Sequence, residues 1–591
     1  MTLVSDLLNC SIKTKEENEN NVGVGQYVAD TDETDTYGQV LTRSIRTALK
    51  LKERGLSSND IISTCTYNHK NTIIPLIASL FLGNKSAHFD PDLSHLDTIH
   101  LLKLIKPKII FIVPESVPFM EMCLKESKVD TELVVFGNSG KYQNFSQYLE
   151  PSTQETEFQP VTINDIKETI IILFSSGTTG LPKGICLNHY GLLKQCSSFR
   201  DIWNKDNTYK DISLLYTTFY WISAVGMLLR TITLGSVRVV CKEFHPRYTW
   251  TLIEKYKECG DALESLARQK EVGLVWIPGH MGMPGNENWH VLCQGNLLKD
   301  RNQSLGPREA LSAYLCCFLF IQITCIFLAP HYASDFLAAR QKDVDTSSLK
   351  QFLTGGEPVP VKLMEGLKKA LPRTQILQGY GQTEACGMVT MFNADNAMEM
   401  EMQNRKPKSC GKIMSGYTWK VVDLLTEEIL GPNERGELRY KADFTMNGYY
   451  NMDSSSAYDA DGYLKSGDIV YYDEERCFYI VDRLKEIFKY RGWHILPVIL
   501  EGVLLTHPSV KDAAVVGIPD VLDGEHPMGI VVLNKGYEMT TPEDIISYVD
   551  QIVPDTQRLR AGVKIVKEML RTVTGKLNRR AMKKMVLEGK I

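Results

Sequence analysis

Ser175-Ser176-Gly177-Thr178-Thr179-Gly180-Leu181-Pro182-Lys183-Gly184 follows a β-branched run, Glu168–Leu173 (ETIIIL), that reads as a strand. Glycine lets a backbone approach a ligand closely and adopt positive φ. Successive free N–H groups and hydroxyls make a cradle for phosphate oxygens, and Lys183 adds a counter-charge. The spacing is not that of a Walker A loop, which needs G-x-x-x-x-G-K-[ST]. Taken alone, a Gly/Ser/Thr run is also consistent with a flexible turn. Two more stretches lie further along the chain: Gly379–Glu384 (GYGQTE) and the basic tail around Thr574-Gly575-Lys576.

These stretches have company in a fixed order. Thr354–Pro360 (TGGEPVP), Ser409–Asp423, a GYLKSGD ending at Asp468, Asp482–Glu501 and Thr574–Arg580 (TGKLNRR) complete the series. The series resembles the adenylate-forming family of acyl-CoA synthetases, 4-coumarate ligases and beetle luciferases. The resemblance spans most of the chain outside one block. It implies an α/β fold: a large N-terminal domain of stacked, parallel-rich sheets with helices (1–481), then a small mobile α+β C-terminal lid (482–591). It also implies ATP-dependent activation of a carboxylic acid, fatty or aromatic, to an acyl-adenylate, followed by thioester formation with coenzyme A. A luciferase-type oxygenase and a catalytically impaired member are the alternatives.

The roles carried over are specific. Lys576 would contact the attacking carboxylate and the phosphate. Glu384 would hold Mg²⁺, a hard cation suited to carboxylate and phosphate oxygens. Thr383 and the loop of Ser175, Ser176, Gly177, Thr178, Thr179, Gly180 and Lys183 would bind phosphates. Tyr380 would lie against the nucleotide, Asp468 would accept from the ribose hydroxyls, and Arg483 would support the same end. Gly355 and Gly356 would flank the acyl pocket. Tyr220 and Trp221 would line it where luciferases carry a His-rich segment, which argues for an apolar acid and against light emission, although aromatics at this spacing are equally consistent with plain core. A hinge near Asp482 and Lys485 would swing Lys489 and Gly492 into the site for the thioester step. Outside this register, SGD reads as turn chemistry and Lys576 as one charge in a solvated run. The family's Pro-Lys pair upstream of the last lysine is replaced by Leu570-Arg571.

One stretch does not fit. Thr251–Lys257 looks like a helix that precedes a buried strand, and Ile323–Pro330 (ITCIFLAP) looks like that strand. Between them lie about 65 residues, 258–322, where such loops usually take about 2–6. The segment VWIPGHMGMPGNENWH, Val275–His290, is similar to the last part of retroelement ribonuclease H domains. By that likeness Leu274–Ile277 is a strand and Gly285-Asn286-Glu287 opens the final helix. His290 stands where that family has a metal-binding Asp, and the block has no room for the other carboxylates that two-metal nuclease chemistry needs. No nuclease activity is expected. The block reads as a captured mobile-element fragment or a fused gene model.

Bulk properties set the frame. The chain of 591 residues is too long for one core. Its 43% hydrophobic and 23% charged content is ordinary for a globular protein. A net charge of -5 gives no reason to expect a nucleic-acid partner. The 14 cysteines show no CxxC spacing, which favours a reduced intracellular compartment. The C-terminal Gly589-Lys590-Ile591 is a poor match to an S-K-L peroxisomal address, which leaves cytoplasm or peroxisome. The uncharged run Ala310–Ala329 is about long enough to span a bilayer, but its second half is claimed by the strand, so no stable membrane span is expected.

The elements that must position these residues alternate. Asp60–Cys65, Lys108–Val113 and Glu132–Phe136 read as strands, with helix-like runs at Asn71–Leu82 and Phe119–Ser127 between them. This pattern argues for parallel sheets with crossover helices. After Asp482 the texture changes to a smaller α+β unit.

Overall fold

The computed structural model describes residues 24–175, 181–202, 212–254, 273–277, 290–294, 323–341, 344–357, 359–484, 486–491, 493–571 and 576–591. The fold is α/β, with a large N-terminal part built on parallel-rich sheets and a C-terminal α+β part. Expected strands and helices appear as Ile61–Cys65, Ile74–Leu82, Ile109–Ile112, Val117–Ser127, Glu132–Val135 and Thr169–Phe174. Continuous Ile/Val/Phe runs suit strands covered on both faces, and Ile109–Ile112 is buried at every position.

A seven-stranded sheet runs in the order Gln143–Asn144, Glu132–Val135, Ile109–Ile112, Ile61–Cys65, Lys85–Phe89, Thr169–Phe174, Gly184–Asn188. All its neighbours are parallel except the last pair. That antiparallel hairpin carries the loop that begins at Ser175. A nine-stranded sheet has a parallel centre made of Gln375–Gln382, Gln351–Gly355, Cys325–Leu328, Ile212–Leu215, Val237–Val240 and Val24–Val28. Buried residues of both sheets, such as Phe111 and Leu215, share one core. A four-stranded antiparallel sheet follows: Thr418–Val422, Gly436–Lys441, Leu464–Tyr472 and Phe478–Arg483. Sheet membership then changes. Trp493–Ile495, Phe488–Tyr490, Gly524–Leu533, Val510–Asp520 and Val563–Ile565 make a separate five-stranded sheet with its own core.

The strand expected after the atypical block is present. Cys325–Leu328 sits in the middle of the nine-stranded sheet, between Ile212–Leu215 and Gln351–Gly355. Both flanks of the block pack on each other. Trp250, on the helix that ends the described residues before the block, stacks on Phe336 at 4.1 Å and 9°. Its indole N–H donates to the Phe336 carbonyl at 2.8 Å.

Inside the block only Gly273–Ile277 and His290–Gln294 are described. They form an antiparallel pair with Ile277 opposite His290. Leu274–Ile277 is a strand, as expected. Gly285-Asn286-Glu287, expected to open a ribonuclease-like final helix, lie outside the described residues, and His290–Gln294 beyond them is extended. Pairing with the first strand satisfies its backbone groups where a helix would need its own turns. Ala310–Gln322 lies outside the described residues. Among those described, no helix is long and apolar enough to cross a membrane.

Replacing Trp250 with Ala should destabilise the large part by about 3–5 kcal/mol, as for other buried Trp truncations. Denaturant unfolding followed by fluorescence checks it. An unchanged midpoint would mean that the two flanks are not joined as described.

Candidate active site

Five chain segments far apart in sequence meet at one cavity of about 1040 Å³. The first arrives from the seven-stranded sheet. Phe174 ends a buried strand, and Ser175 and Lys183 then close the base of the loop. The Ser175 N–H donates to the Lys183 carbonyl at 3.0 Å, and the Lys183 N–H donates to Ser175 Oγ at 3.1 Å. Ser176, Gly177, Thr178, Thr179 and Gly180 lie outside the described residues. Ser175 and Lys183 both line the cavity.

The second and third segments end strands of the nine-stranded sheet. Gly355 and Gly356 line the cavity at the end of Gln351–Gly355. A methyl group at Gly355 would stand 2.5 Å from the Gly379 carbonyl, and Gly356 has φ +88°, so both positions call for glycine. Gln375–Gln382 runs straight into a single 3₁₀ turn, Thr383–Ala385, which turns Thr383 and Glu384 into the cavity.

The fourth segment comes from the antiparallel sheet. Register sets Asp468 opposite Arg483 on the neighbouring strand. Arg483 Nε lies 3.1 Å from Asp468 Oδ1. Asp468 Oδ2 accepts from the Tyr380 hydroxyl and from Gln382 Nε2, each at 2.6 Å. Asp468 is 2% exposed, so this donor set is what keeps a carboxylate at this depth. Lys576 reaches the same cavity from the C-terminal part.

The electrostatics follow from this crowding. Burial first, then the neighbouring Arg483 charge, lower the Lys576 ammonium to about 8, against the pull of Glu357, Asp468 and Glu384. Burial raises the Glu384 carboxyl, opposed by its own backbone N–H and by Arg483. The Asp468 charge comes first in raising Arg483 further. A carboxylate whose charge is penalised by burial, facing a cavity that also holds Ser, Thr and Lys groups, fits a divalent cation. Mg²⁺ is commonly held by one or two carboxylates plus substrate phosphates. Glu384 is the residue that would hold it.

The other expected residues divide. Trp221 lines the cavity, but Tyr220 does not: it is 3% exposed, stands behind Trp221 at 4.9 Å and packs on Phe174 at 5.7 Å. Its phenol therefore belongs to the core, which corrects its expected place in the acyl wall. Tyr380 also stands behind the lining, through its bond to Asp468. Asp482 is buried beside the site, and burial raises its carboxyl to about 7 although the Arg483 and Val498 N–H groups donate to it. Lys489 lies on the strand Phe488–Tyr490, is exposed and does not line the cavity. Lys485 and Gly492 are outside the described residues. The described arrangement thus has Lys576 in the cavity and Lys489 out of it.

Sequence reading missed several partners. Gln382 was quoted only as part of GYGQTE, yet it bridges Asp468, the Ser466 carbonyl and the Tyr440 hydroxyl. Arg579 binds Glu501 through two nitrogens, at 2.8 and 2.7 Å, and Glu486 at 2.7 Å. This ties the chain just after Lys576 to the segment that follows Asp482. Arg571, which stands where the resemblance led to a lysine, bridges Leu577 and reaches Asp512 at 2.6 Å.

The AMP-binding enzyme model matches residues 15–258 and 312–450, and the AMP-binding enzyme C-terminal domain model matches residues 500–576. The chain belongs to the AMP-binding enzyme family. Among its relatives, luciferin 4-monooxygenase of Photuris pensylvanica is 32% identical, over 94% of this chain and 91% of the relative. 4-Coumarate–CoA ligase 1 of Petroselinum crispum is 27% identical, over 95% and 90%. The solved luciferase-like enzyme from the nonluminescent Zophobas morio mealworm is 33% identical, with TM-score 0.66 over 83% of this chain and 96% of that one. ATP-bound MatB from Rhodopseudomonas palustris shares the fold at 18% identity, with TM-score 0.76 over 99% of both chains. The family match steps over residues 259–311.

The Lys576 value gives a direct expectation. Its ordinary value is 10.5, so between about 8 and 10.5 the unfolded chain binds the extra proton, and this group makes stability rise with pH across that window. Below about 8 the ammonium is charged and its burial costs stability. Competitive acetylation across pH, read by peptide mass spectrometry, should give Lys576 a midpoint near 8. A midpoint at the ordinary lysine value would show that it does not sit in the cavity.

Proposed function

We propose that this protein is an AMP-forming acid–thiol ligase that joins a carboxylic acid to ATP and then to coenzyme A. The observation that carries this reading is the convergence of Lys576, Arg483, Asp468, Glu384 and Lys183 on one cavity. In the first half-reaction a substrate carboxylate oxygen attacks the α-phosphorus. The new P–O bond forms as the bond to pyrophosphate breaks. Negative charge builds on the phosphate oxygens, so preorganised donors and cations do most of the work. Lys576, charged below about pH 8, bridges the incoming carboxylate and the α-phosphate. Ser175, Thr383 and Lys183 hold the leaving phosphates. Asp468, paired with Arg483, accepts from the ribose hydroxyls. Mg²⁺ on Glu384, when bound, would neutralise phosphate charge. In the second half-reaction the coenzyme A sulfur attacks the acyl carbon, AMP leaves with the bonding pair and the thiol proton is released. We assign residues 482–591 as a mobile lid whose turn about Asp482 withdraws Lys576 and brings in Lys489.

The acid is fatty or aromatic on this reading, because Trp221, Met227 and Phe327 give the cavity an apolar wall. Identity to luciferin 4-monooxygenases favours a second reading, an oxygenase that turns the adenylate into light. We further propose that residues 258–322 are a captured fragment without nuclease activity. The family match that skips most of them supports this. They leave the catalytic residues in place but burden folding.

Pyrophosphate–ATP exchange across a panel of fatty and aromatic acids should respond to at least one acid. Lys576→Ala should lower that rate by about 10²–10³, the scale for loss of a key charge-stabilising group. Exchange that survives in Lys576→Ala contradicts the role given to this lysine. Adding coenzyme A should yield acyl-CoA and AMP without light; light in its place supports the oxygenase. Sequencing the transcript across codons 257–323 decides whether the block is expressed.

A further inference from the structure

Tyr449 was in no motif singled out from the sequence, yet it touches both charged arms of the phosphate end. Lys183 Nζ lies 4.7 Å from the centre of the Tyr449 ring. The Tyr449 hydroxyl points to Glu384 Oε1 at 3.5 Å, the outer limit of a hydrogen bond. The residue also lines the cavity.

Backbone pairing explains how a residue so distant in sequence comes to stand there. Gly184–Asn188 is an edge strand of the seven-stranded sheet. Residues 447–450 lie along it. The Tyr450 N–H donates to the Gly184 carbonyl at 2.7 Å, the Cys186 N–H to the Gly448 carbonyl at 3.0 Å and the Asn447 N–H to the Cys186 carbonyl at 2.9 Å. Ile185 and Tyr449 form an antiparallel bridge. The fit is close: a methyl group at Gly184 would meet Tyr450 Cβ at 3.1 Å. The ring that holds Lys183 is therefore clamped to the strand that begins one residue after it.

We propose that Tyr449 is a positioning residue for nucleotide binding: its ring face holds the Lys183 ammonium at the phosphates, and its hydroxyl orients the Glu384 carboxylate for a divalent cation. This rests on the ATP-binding reading of the cavity and not on the identity of the acid. A ring face attracts an ammonium most when water is excluded, and this residue is half-buried. The hydroxyl is a donor, so it engages one carboxylate oxygen and leaves the other for a cation.

The test is calorimetric titration of the full chain with ATP, with and without Mg²⁺, which needs no acid and no turnover. Tyr449→Leu should weaken ATP binding about tenfold, within the range for a partly desolvated cation–π contact. In a Lys183→Ala background the same change should cost metal-free ATP binding less than about twofold, because the ring then has no ammonium to hold. Tyr449→Phe keeps the ring's packing, so it reports even if the Leu variant folds poorly. It should bind metal-free ATP like wild type and lose about threefold of the affinity that Mg²⁺ adds, as for a marginal hydrogen bond to a charged group. Losses that add fully in the Lys183→Ala background, or a Phe variant with wild-type Mg²⁺ dependence, overturn the proposal. If the wild-type chain binds no ATP, the parent reading falls and takes this one with it. If wild type binds ATP and all variants match it, only this one falls.

Discussion

The buried ion pair between Asp468 and Arg483 is the contact on which the site depends. It closes the register of the last two strands of the antiparallel sheet and stands at the junction with the C-terminal part. Taking a carboxylate to this depth is costly unless it is paired and hydrogen-bonded. Tyr380, Gln382 and Arg483 meet that need from two different sheets. The bonds that satisfy Asp468 therefore also fix the strand end that bears Thr383 and Glu384. Arg483 then acts on its other neighbours, steadying the Glu384 charge and weakening that of Lys576. Burial is the larger influence on both groups, and the Asp468–Arg483 pair modulates it.

Much of this was legible in the sequence. Strands such as Ile109–Ile112 announce themselves because a strand buried on both faces needs an unbroken β-branched run. Ser175, Lys183, Gly355, Thr383, Asp468 and Lys576 were legible because each sits in a short motif with a fixed neighbour. The misses share one cause. Tyr220 and Trp221 are adjacent and alike in composition, and only the path of the backbone decides which faces the cavity. Tyr449 and Arg579 matter through partners far away in sequence, Lys183 and Glu486 among them, and no local spacing encodes such contacts.

The atypical block shows how tolerant the architecture is. Closure entropy grows slowly with loop length, so a long excursion between the Trp250 helix and Cys325–Leu328 need not break the sheet. The strand after it still pairs on both sides, and Trp250 still stacks on Phe336. The glycine- and histidine-rich stretch Val275–His290, the most site-like on composition alone, contributes no described residue to the cavity lining. The chemistry is assembled from chain on either side of it.

The central claim is that these distant segments form one acyl-adenylate site. The most direct measurement is a crystal structure of the chain with a non-hydrolysable acyl-sulfamoyl adenosine. The account predicts the ribose hydroxyls at Asp468, the sulfamoyl group beside Lys576 and the acyl chain toward Trp221 and Gly356. An analogue bound elsewhere, or one bound there with its ribose away from Asp468, would contradict it.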